Sequence, residues 1–122
     1  MSLRILIVED EQIVAADLKS KLSSIGHQVV GAAASGEEAI SMAEQLRPEL
    51  VLMDIRLQGP MPGTEAGRRI QVLTGAPIIF ITAYAVIFIH DPAQMHPPGV
   101  CLSKPFSLRQ LRAALDAVAE RP

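Results

Sequence analysis

The sequence of 122 residues contains no tryptophan, a single tyrosine, three phenylalanines and a single cysteine. One cysteine cannot form a disulfide within the chain, so nothing indicates an oxidising compartment. Aromatic residues make up only 3% of the chain, which disfavours a flavin site enclosed by rings. The sequence also lacks a P-loop and a Gly-x-Gly-x-x-Gly motif, which disfavours the usual nucleotide sites.

The chain also has no large excess of either positive or negative charge. The net charge is −2, from 11 basic and 13 acidic residues, and no basic stripe predicts direct nucleic-acid binding. The apolar runs are far too short for a membrane span, and the first residues show no signal-peptide pattern. His27, His90 and His96 lack the spacing of paired zinc ligands. We therefore expect a cytoplasmic protein without membrane insertion.

The length and composition predict one folded domain. At 122 residues and 49% hydrophobic content, the chain can build one core but not two. We find no repeat, linker or low-complexity segment. The chain ends at Pro122, directly after its last predicted helix, so we expect no output domain within it.

Strand and helix patterns alternate along the chain. Short apolar runs predict strands at residues 4–8, 28–33, 50–54, 77–82 and 100–102. Helical patterns cover residues 12–25, 36–47 and 64–73, and a last helix follows Ser107. Ser35 with Glu38, and Ser107 with Gln110, form capping boxes. This alternation predicts an α/β fold with a parallel, doubly wound sheet.

Helical spacing also predicts which residues face the core. In the first helix these are Ile13, Ala16, Leu22 and Ile25, and in the last helix Leu108, Leu111, Leu115 and Val118.

The segment between residues 83 and 99 departs from this pattern. A fourth helix is expected there, but residues 83–89 are apolar and partly β-branched, without helical polar spacing. Asp91-Pro92 could start a helix, and Pro97-Pro98-Gly99 would end it quickly. We therefore predict a short or irregular fourth helix. Its apolar run, residues 86–89, either fills the core or forms a contact with a partner.

Polar residues follow four of the predicted strands. Glu9-Asp10, Asp54, Thr82 and Lys104 each stand where a strand ends. In an open parallel sheet, ligands bind beyond the carboxyl ends of the strands, so these side chains should converge. Gathered carboxylates raise at least one pKa unless a cation lies among them, and oxygen ligands suit Mg²⁺. Asp54 could be a nucleophile, with Lys104 and Thr82 binding phosphoryl oxygens.

These residues lie in four motifs that resemble one known family. The motifs are Ile5-Leu6-Ile7-Val8-Glu9-Asp10-Glu11, Pro48-Glu49-Leu50-Val51-Leu52-Met53-Asp54-Ile55, Ile81-Thr82-Ala83 and Lys104-Pro105-Phe106. In this order they resemble the response-regulator receiver domain, the phospho-acceptor module of two-component signalling. The resemblance covers essentially the whole chain, residues 1–122.

The resemblance implies a flavodoxin-like, CheY-like sheet of five strands in the order 2-1-3-4-5. It implies that Asp54 accepts a phosphoryl group from a histidine kinase or phosphotransfer protein. It also implies that Glu9, Asp10, Asp54 and the backbone carbonyl of Arg56 hold Mg²⁺. The implied phosphoryl ligands are Thr82 and Lys104, and Arg56 and Tyr84 would tune the lifetime of the phosphorylated state. Pro105 would follow a cis peptide bond.

Partners implied by the resemblance are the phosphoryl donor and a downstream protein target or output domain. Receivers usually carry an aromatic residue three positions before the lysine, and this chain has Cys101 there, which we expect to be a small buried residue. With the irregular fourth helix, Cys101 predicts an altered output face formed by the fourth helix, fifth strand and fifth helix. A homodimer contact through residues 84–102 is one form that this readout could take.

Two other classes remain open. The first is an unphosphorylated pseudo-receiver that acts as a constitutive protein-binding module. The second is a turnover enzyme, which the absence of an Asp-x-Asp motif around Asp54 disfavours. Fold alone would not exclude that class.

Overall fold

The computed structural model describes residues 2–82 and 100–119 of the chain. The predicted fourth helix, the apolar run at residues 86–89 and Tyr84 lie outside the described residues. None of the helices in the described ranges has the length and apolar character needed to span a bilayer.

Five parallel strands form one sheet in the order β2-β1-β3-β4-β5, as predicted. The strands are β1 Arg4–Val8, β2 Gln28–Ala33, β3 Leu50–Asp54, β4 Ile78–Thr82 and β5 Val100–Ser103. The described helices are α1 Gln12–Ser24, α2 Gly36–Leu46, α3 Gly63–Thr74 and α4 Leu108–Ala119. The doubly wound α/β fold is therefore confirmed.

Hydrophobic side chains pack on both faces of the sheet. On one face, Ile5 and Leu52 contact α1 and α4, and on the other, Leu6 and Met53 contact α2 and α3. Every residue of β3 and β4 is buried. Neighbouring strand residues point to opposite faces, so a strand covered on both sides reads as a continuous apolar run.

Two predicted core positions in α1 are wrong. Ile13 is 86% exposed and Ala16 is exposed, whereas Leu18 and Leu22 are buried and Val14 is partly buried. Apolar residues in α1 fit two overlapping helical stripes, and Ile13 lies about 100° around the helix axis from Val14. Periodicity cannot decide which stripe faces the sheet.

In α4, Leu111, Leu115 and Val118 are buried as predicted, but Leu108 is 37% exposed. Leu108 is the first residue of the helix, where a side chain has helix neighbours on one side only.

The predicted capping box at Ser107 is complete, and in the one at Ser35 the Glu38 carboxylate binds the amide of the residue before the cap. Glu38 N–H donates to Ser35 Oγ (3.2 Å), and the Glu38 carboxylate accepts from Ala34 N–H (2.7 Å). Gln110 N–H donates to Ser107 Oγ (3.1 Å), and Gln110 Oε1 accepts from Ser107 N–H (2.8 Å). These contacts satisfy amide groups that have no partner within the first turn of a helix.

Arg4 ties the C-terminus of α2 to the sheet. Its guanidinium donates to the carbonyl oxygens of Leu46 (2.7 Å) and Arg47 (2.8 Å). Arg47 adopts a left-handed conformation with φ of 48°, and its N–H donates to Ala43 O. One side chain from β1 therefore binds two carbonyl groups that a helix end leaves without partners.

The loop between β3 and α3 is anchored to the segment that follows β2. Gln58 forms an isolated parallel bridge with Ser35. Met61 lies against Gly36, where an added β-carbon would be 2.9 Å from the Met61 sulfur. The loop that leaves Asp54 thus runs to the start of α2.

Candidate functional site

The predicted site residues meet at the carboxyl edge of the sheet. Asp54, Thr82 and Ser103 are the last residues of β3, β4 and β5. Thr82 is paired with Ser103, and Asp54 with Ile81. The parallel register therefore brings together groups that are far apart in sequence.

Lys104 binds two of the carboxylates directly. Its Nζ lies 2.9 Å from Glu9 Oε1 and 3.1 Å from Asp54 Oδ2. The side chains of Glu9 and Asp54 are 1% and 7% exposed, and that of Lys104 is 24% exposed. Buried carboxylates need such a partner, because removing a charge from water is costly.

Backbone amides hold the other carboxylate oxygens. Arg56 N–H donates to Asp54 Oδ1 (3.0 Å), and Glu11 N–H donates to Glu9 Oε2 (3.1 Å). Each carboxylate thus has one oxygen on a backbone donor and the other on Lys104. The orientation of Asp54 is fixed from both sides, which is what a nucleophile that must align with a substrate needs.

Glu9, Asp10 and Asp54 form an acidic cluster in which one oxygen of each lies within 4.8 Å of the others. Burial, followed by the hydrogen bond and charge of Glu9, raises the pKa of Asp10. Burial opposes protonation of Lys104, but the hydrogen bonds and the charges of Glu9 and Asp54 together outweigh burial and raise the Lys104 pKa.

Three carboxylates therefore face one ammonium, and the cluster keeps an excess of negative charge. Carboxylate oxygens are the ligands that Mg²⁺ prefers, so the donor set fits this ion.

Comparison with known proteins gives the family. The family model of the response regulator receiver domain matches residues 5–116. The chain belongs to this family. The matched family and the curated relatives are regulators. The prediction that this domain is not a turnover enzyme is therefore confirmed.

Two curated relatives show how much of a longer protein this receiver corresponds to. It is 34% identical over 118 residues to the transcriptional regulatory protein PdtaR of Mycobacterium tuberculosis. It is 35% identical over 117 residues to the phyllosphere-induced regulator PhyR of Methylorubrum extorquens. These matches cover 97% and 95% of this chain but 57% and 43% of the relatives, so the receiver spans about half their length.

A solved structure is similar over the whole domain. The receiver domain of sensor histidine kinase PA1611 from Pseudomonas aeruginosa is 30% identical, with a TM-score of 0.85. The match covers 99% of this chain and 100% of that one. That structure has a magnesium ion coordinated in its active-site cleft.

Thr82 and Cys101 lie on neighbouring strands, β4 and β5, of this receiver. Thr82 is buried, and its carbonyl oxygen accepts from Lys104 N–H (2.9 Å). Cys101 is half-buried, is paired with Phe80 and packs against the core on the α2 and α3 face. Burial raises the pKa of the Cys101 thiol, which favours an inert thiol over a reactive thiolate.

The remaining predictions have mixed outcomes. Lys104-Pro105 is a cis peptide bond, as the resemblance implied. Arg56 is exposed in the loop beyond Asp54. Tyr84 and most of the region expected to form a dimer contact lie outside the described residues.

Sequence reasoning missed the contact between Glu9 and Lys104. It assigned Glu9 to the metal and Lys104 to the phosphoryl group, whereas the two side chains bind each other. The one available signal was the implied strand order, which separates β1 from β5 by only two strands.

A groove of about 460 Å³ opens beside Lys104. Val14, Leu18 and Lys21 of α1 line one side, and Pro105 and Phe106 line the other. The Lys21 ammonium lies 5.6 Å from the centre of the Phe106 ring. An apolar surface therefore adjoins the charged site.

Proposed function

We propose that residues 1–122 form one receiver domain that accepts a phosphoryl group on Asp54 from a histidine kinase or phosphotransfer protein. The observation that carries this proposal is the setting of the Asp54 carboxylate. It is held by Arg56 N–H and Lys104 Nζ at the edge of the sheet, among two further carboxylates. Phosphoryl transfer depends mainly on positioning and charge stabilisation, and these groups supply both.

In the proposed reaction, an Asp54 oxygen attacks the phosphorus atom of a phosphohistidine. A phosphorus–oxygen bond forms and the phosphorus–nitrogen bond breaks. The electron pair returns to the imidazole nitrogen, which takes a proton from solvent. Lys104 offsets charge on the phosphoryl oxygens, and the Thr82 hydroxyl donates a hydrogen bond to one of them.

The proposed ligands of Mg²⁺ are Glu9, Asp10, Asp54 and the backbone carbonyl of Arg56. When bound, the ion would supply positive charge that stabilises the transferring phosphoryl group. The excess negative charge of the acidic cluster supports this assignment. Arg56 and Tyr84 are the proposed determinants of how long the phosphoryl group persists.

Intact mass spectrometry after incubation with acetyl phosphate and Mg²⁺ tests the proposal. We expect one phosphoryl adduct in the parent protein and none in Asp54→Asn or in the absence of Mg²⁺. If no donor, metal or kinase yields an adduct, the phospho-acceptor function is wrong.

We place the phosphoryl donor on α1 and the groove beside Lys104. Ile13 is exposed only three residues beyond Asp10, and the groove reaches Lys104 itself. The apolar lining of the groove, with Ile13 exposed on the same helix, supports a protein partner next to the reactive edge. Ile13→Ser should slow transfer from a phosphorylated kinase without changing the reaction with acetyl phosphate.

A second candidate function is a constitutive protein-binding module that is never phosphorylated. Cys101 favours it, because the aromatic residue that usually reports the phosphorylated state is absent from that position. Under the first proposal, Cys101 at this position means that a downstream target or output domain recognises the phosphorylated state in a different way. The mass measurement separates the two functions.

A further inference from the structure

We propose that Gly63 is a positioning residue for phosphoryl transfer. Because it has no side chain, the start of α3 lies directly against the Asp54–Ile55 peptide. That contact sets the direction of the Asp54 carboxylate and of the loop that carries the Arg56 carbonyl. The inference rests on the proposed function of Asp54.

The space around Gly63 is filled by backbone atoms. A β-carbon added there would collide with the carbonyl oxygen of Asp54 and lie 2.8 Å from Ile55 Cα. Neither atom can rotate away as the end of a flexible side chain could. Gly63 is buried as the first residue of α3, and it is not among the glycines with positive φ. Glycine is therefore required for space, not for a special backbone conformation.

Hydrogen bonds also hold the Asp54–Ile55 peptide and the Ile55–Arg56 peptide that follows it. Gly63 N–H donates to Ile55 O (2.9 Å), and Ile55 N–H donates to Ile81 O in β4 (3.1 Å). Arg56 N–H donates to Asp54 Oδ1 (3.0 Å). A methyl group on Gly63 must therefore displace either α3 or the segment from Asp54 to Arg56.

Displacement of α3 alone is opposed by its own packing. Ala66 and Ile70 of α3 are fully buried in the core. Farther along the helix, Gly67 lies against the Phe80 ring, where an added β-carbon would be 2.9 Å from ring atoms. The strain of a larger residue at position 63 should therefore fall largely on the segment from Asp54 to Arg56.

Gly67 offers a matched control in the same helix. The three atoms nearest to a β-carbon there are side-chain atoms of Phe80 and Ile78, and none of them belongs to residues 54–56. Gly63→Ala and Gly67→Ala add the same methyl group to α3. Both should destabilise the fold by overpacking. Only the first should change the site.

The measurements are Mg²⁺ affinity by calorimetry and hydrogen exchange of the Arg56 amide in metal-free protein. We expect Gly63→Ala to weaken Mg²⁺ binding about tenfold, as disturbed supporting groups do at metal sites. Exchange of the Arg56 amide should become faster, because its bond to Asp54 Oδ1 is disturbed. Gly67→Ala should keep the parent's affinity within about twofold and its Arg56 exchange rate. Parent-like binding and exchange in Gly63→Ala, or equal losses in both variants, would overturn the inference.

If Gly63→Ala does not fold, Pro62→Gly tests the positioning role of the start of α3 instead. Pro62 precedes α3, and its carbonyl accepts from Glu65 and Ala66 N–H. Its replacement frees the backbone next to Gly63 and should weaken Mg²⁺ binding about threefold. Pro77 directly precedes β4 at the opposite edge of the sheet, so Pro77→Gly should leave Mg²⁺ binding unchanged. Equal affinities of the two proline variants would contradict the positioning role.

The parent protein separates this inference from the proposed function. If the parent forms no adduct with acetyl phosphate, the proposed function fails. The Arg56 exchange comparison still tests Gly63, because it needs neither metal nor phosphoryl donor. If the parent is phosphorylated and Gly63→Ala matches it in affinity and exchange, only the positioning role fails.

Discussion

The Lys104 ammonium lies 2.9 Å from Glu9 Oε1, although 95 residues separate the two in sequence. Lys104 also binds Asp54, so it links the carboxylate that follows β1 to the one that ends β3. Glu9 therefore serves Lys104 as a counter-ion in addition to its proposed place in the metal site. Substitution of Glu9 should therefore change the pKa of Lys104 as well as the affinity for the metal.

Glu9→Gln should alter both properties. The amide keeps the shape but not the charge, so the pKa of Lys104 should fall, because Glu9 helps to raise it. Mg²⁺ affinity should fall about tenfold. NMR titration of the Lys104 side chain and calorimetry with Mg²⁺ measure the two effects. Glu11→Gln, which changes an exposed carboxylate nearby, should reproduce neither.

Asp10→Asn should stabilise the metal-free protein at neutral pH. Its pKa is raised in the fold, so the ionised carboxylate is less favourable in the folded than in the unfolded chain. That cost is absent below the ordinary pKa of 3.8 and grows as pH rises through the folded-state pKa. Because Asp10 is partly exposed, we expect a gain of about 0.5 kcal/mol in unfolding free energy.

Mg²⁺ should reverse the order of stability, since a ligand that binds the folded state stabilises the better binder. Urea unfolding with and without Mg²⁺ measures this reversal. Asp17→Asn serves as the control, because Asp17 is exposed on α1 and pairs with Lys21. A metal-free Asp10→Asn protein less stable than its parent would contradict the raised pKa.

His27 should make stability depend on pH in the mildly acidic range. Its Nδ1 accepts from Leu3 N–H (3.0 Å), and burial lowers its pKa. The neutral ring is favoured in the fold, so its contribution is complete above the ordinary pKa of 6.5. It is lost as pH falls through the folded-state pKa.

His27→Asn should therefore flatten the pH profile of the unfolding free energy by about 1 kcal/mol, the net value of one hydrogen bond. Asparagine keeps an acceptor without the titration. Urea unfolding of both proteins in a series of buffers gives the difference in slope. Parallel profiles would show that His27 does not titrate with folding.

Arg4→Met should loosen the end of α2. Methionine keeps an apolar stem but loses the donors to Leu46 O and Arg47 O. We expect a loss of about 1–2 kcal/mol in unfolding free energy, since the bonds involve a charged donor but are partly exposed. Arg68→Met, on the exposed side of α3, should change stability by less than about 0.5 kcal/mol. Similar losses in the two variants would show that the Arg4 hydrogen bonds do not stabilise the end of α2.

The sequence predicted the sheet and its site because both depend on where apolar runs end. Asp54 and Thr82 end buried runs, and parallel strands finish at one edge. The inward face of α1 could not be predicted, because Ile13 and Val14 belong to overlapping stripes. The contact between Glu9 and Lys104 depends on side-chain reach across the edge of the sheet. The need for glycine at position 63 depends on an interatomic distance, which no pattern of residue types records.

The bridge between Gln58 and Ser35 restricts how the protein can be engineered. Surface loops usually accept inserted residues. The loop after Asp54 is fastened at Gln58 and again at Gly63, so only four residues lie between its anchors. A tag or reporter placed there would have to break one anchor. The displacement of the loop would then reach Asp54 directly. The turn at Gly26, where an added β-carbon meets nothing within 4 Å, is the better place for an insertion.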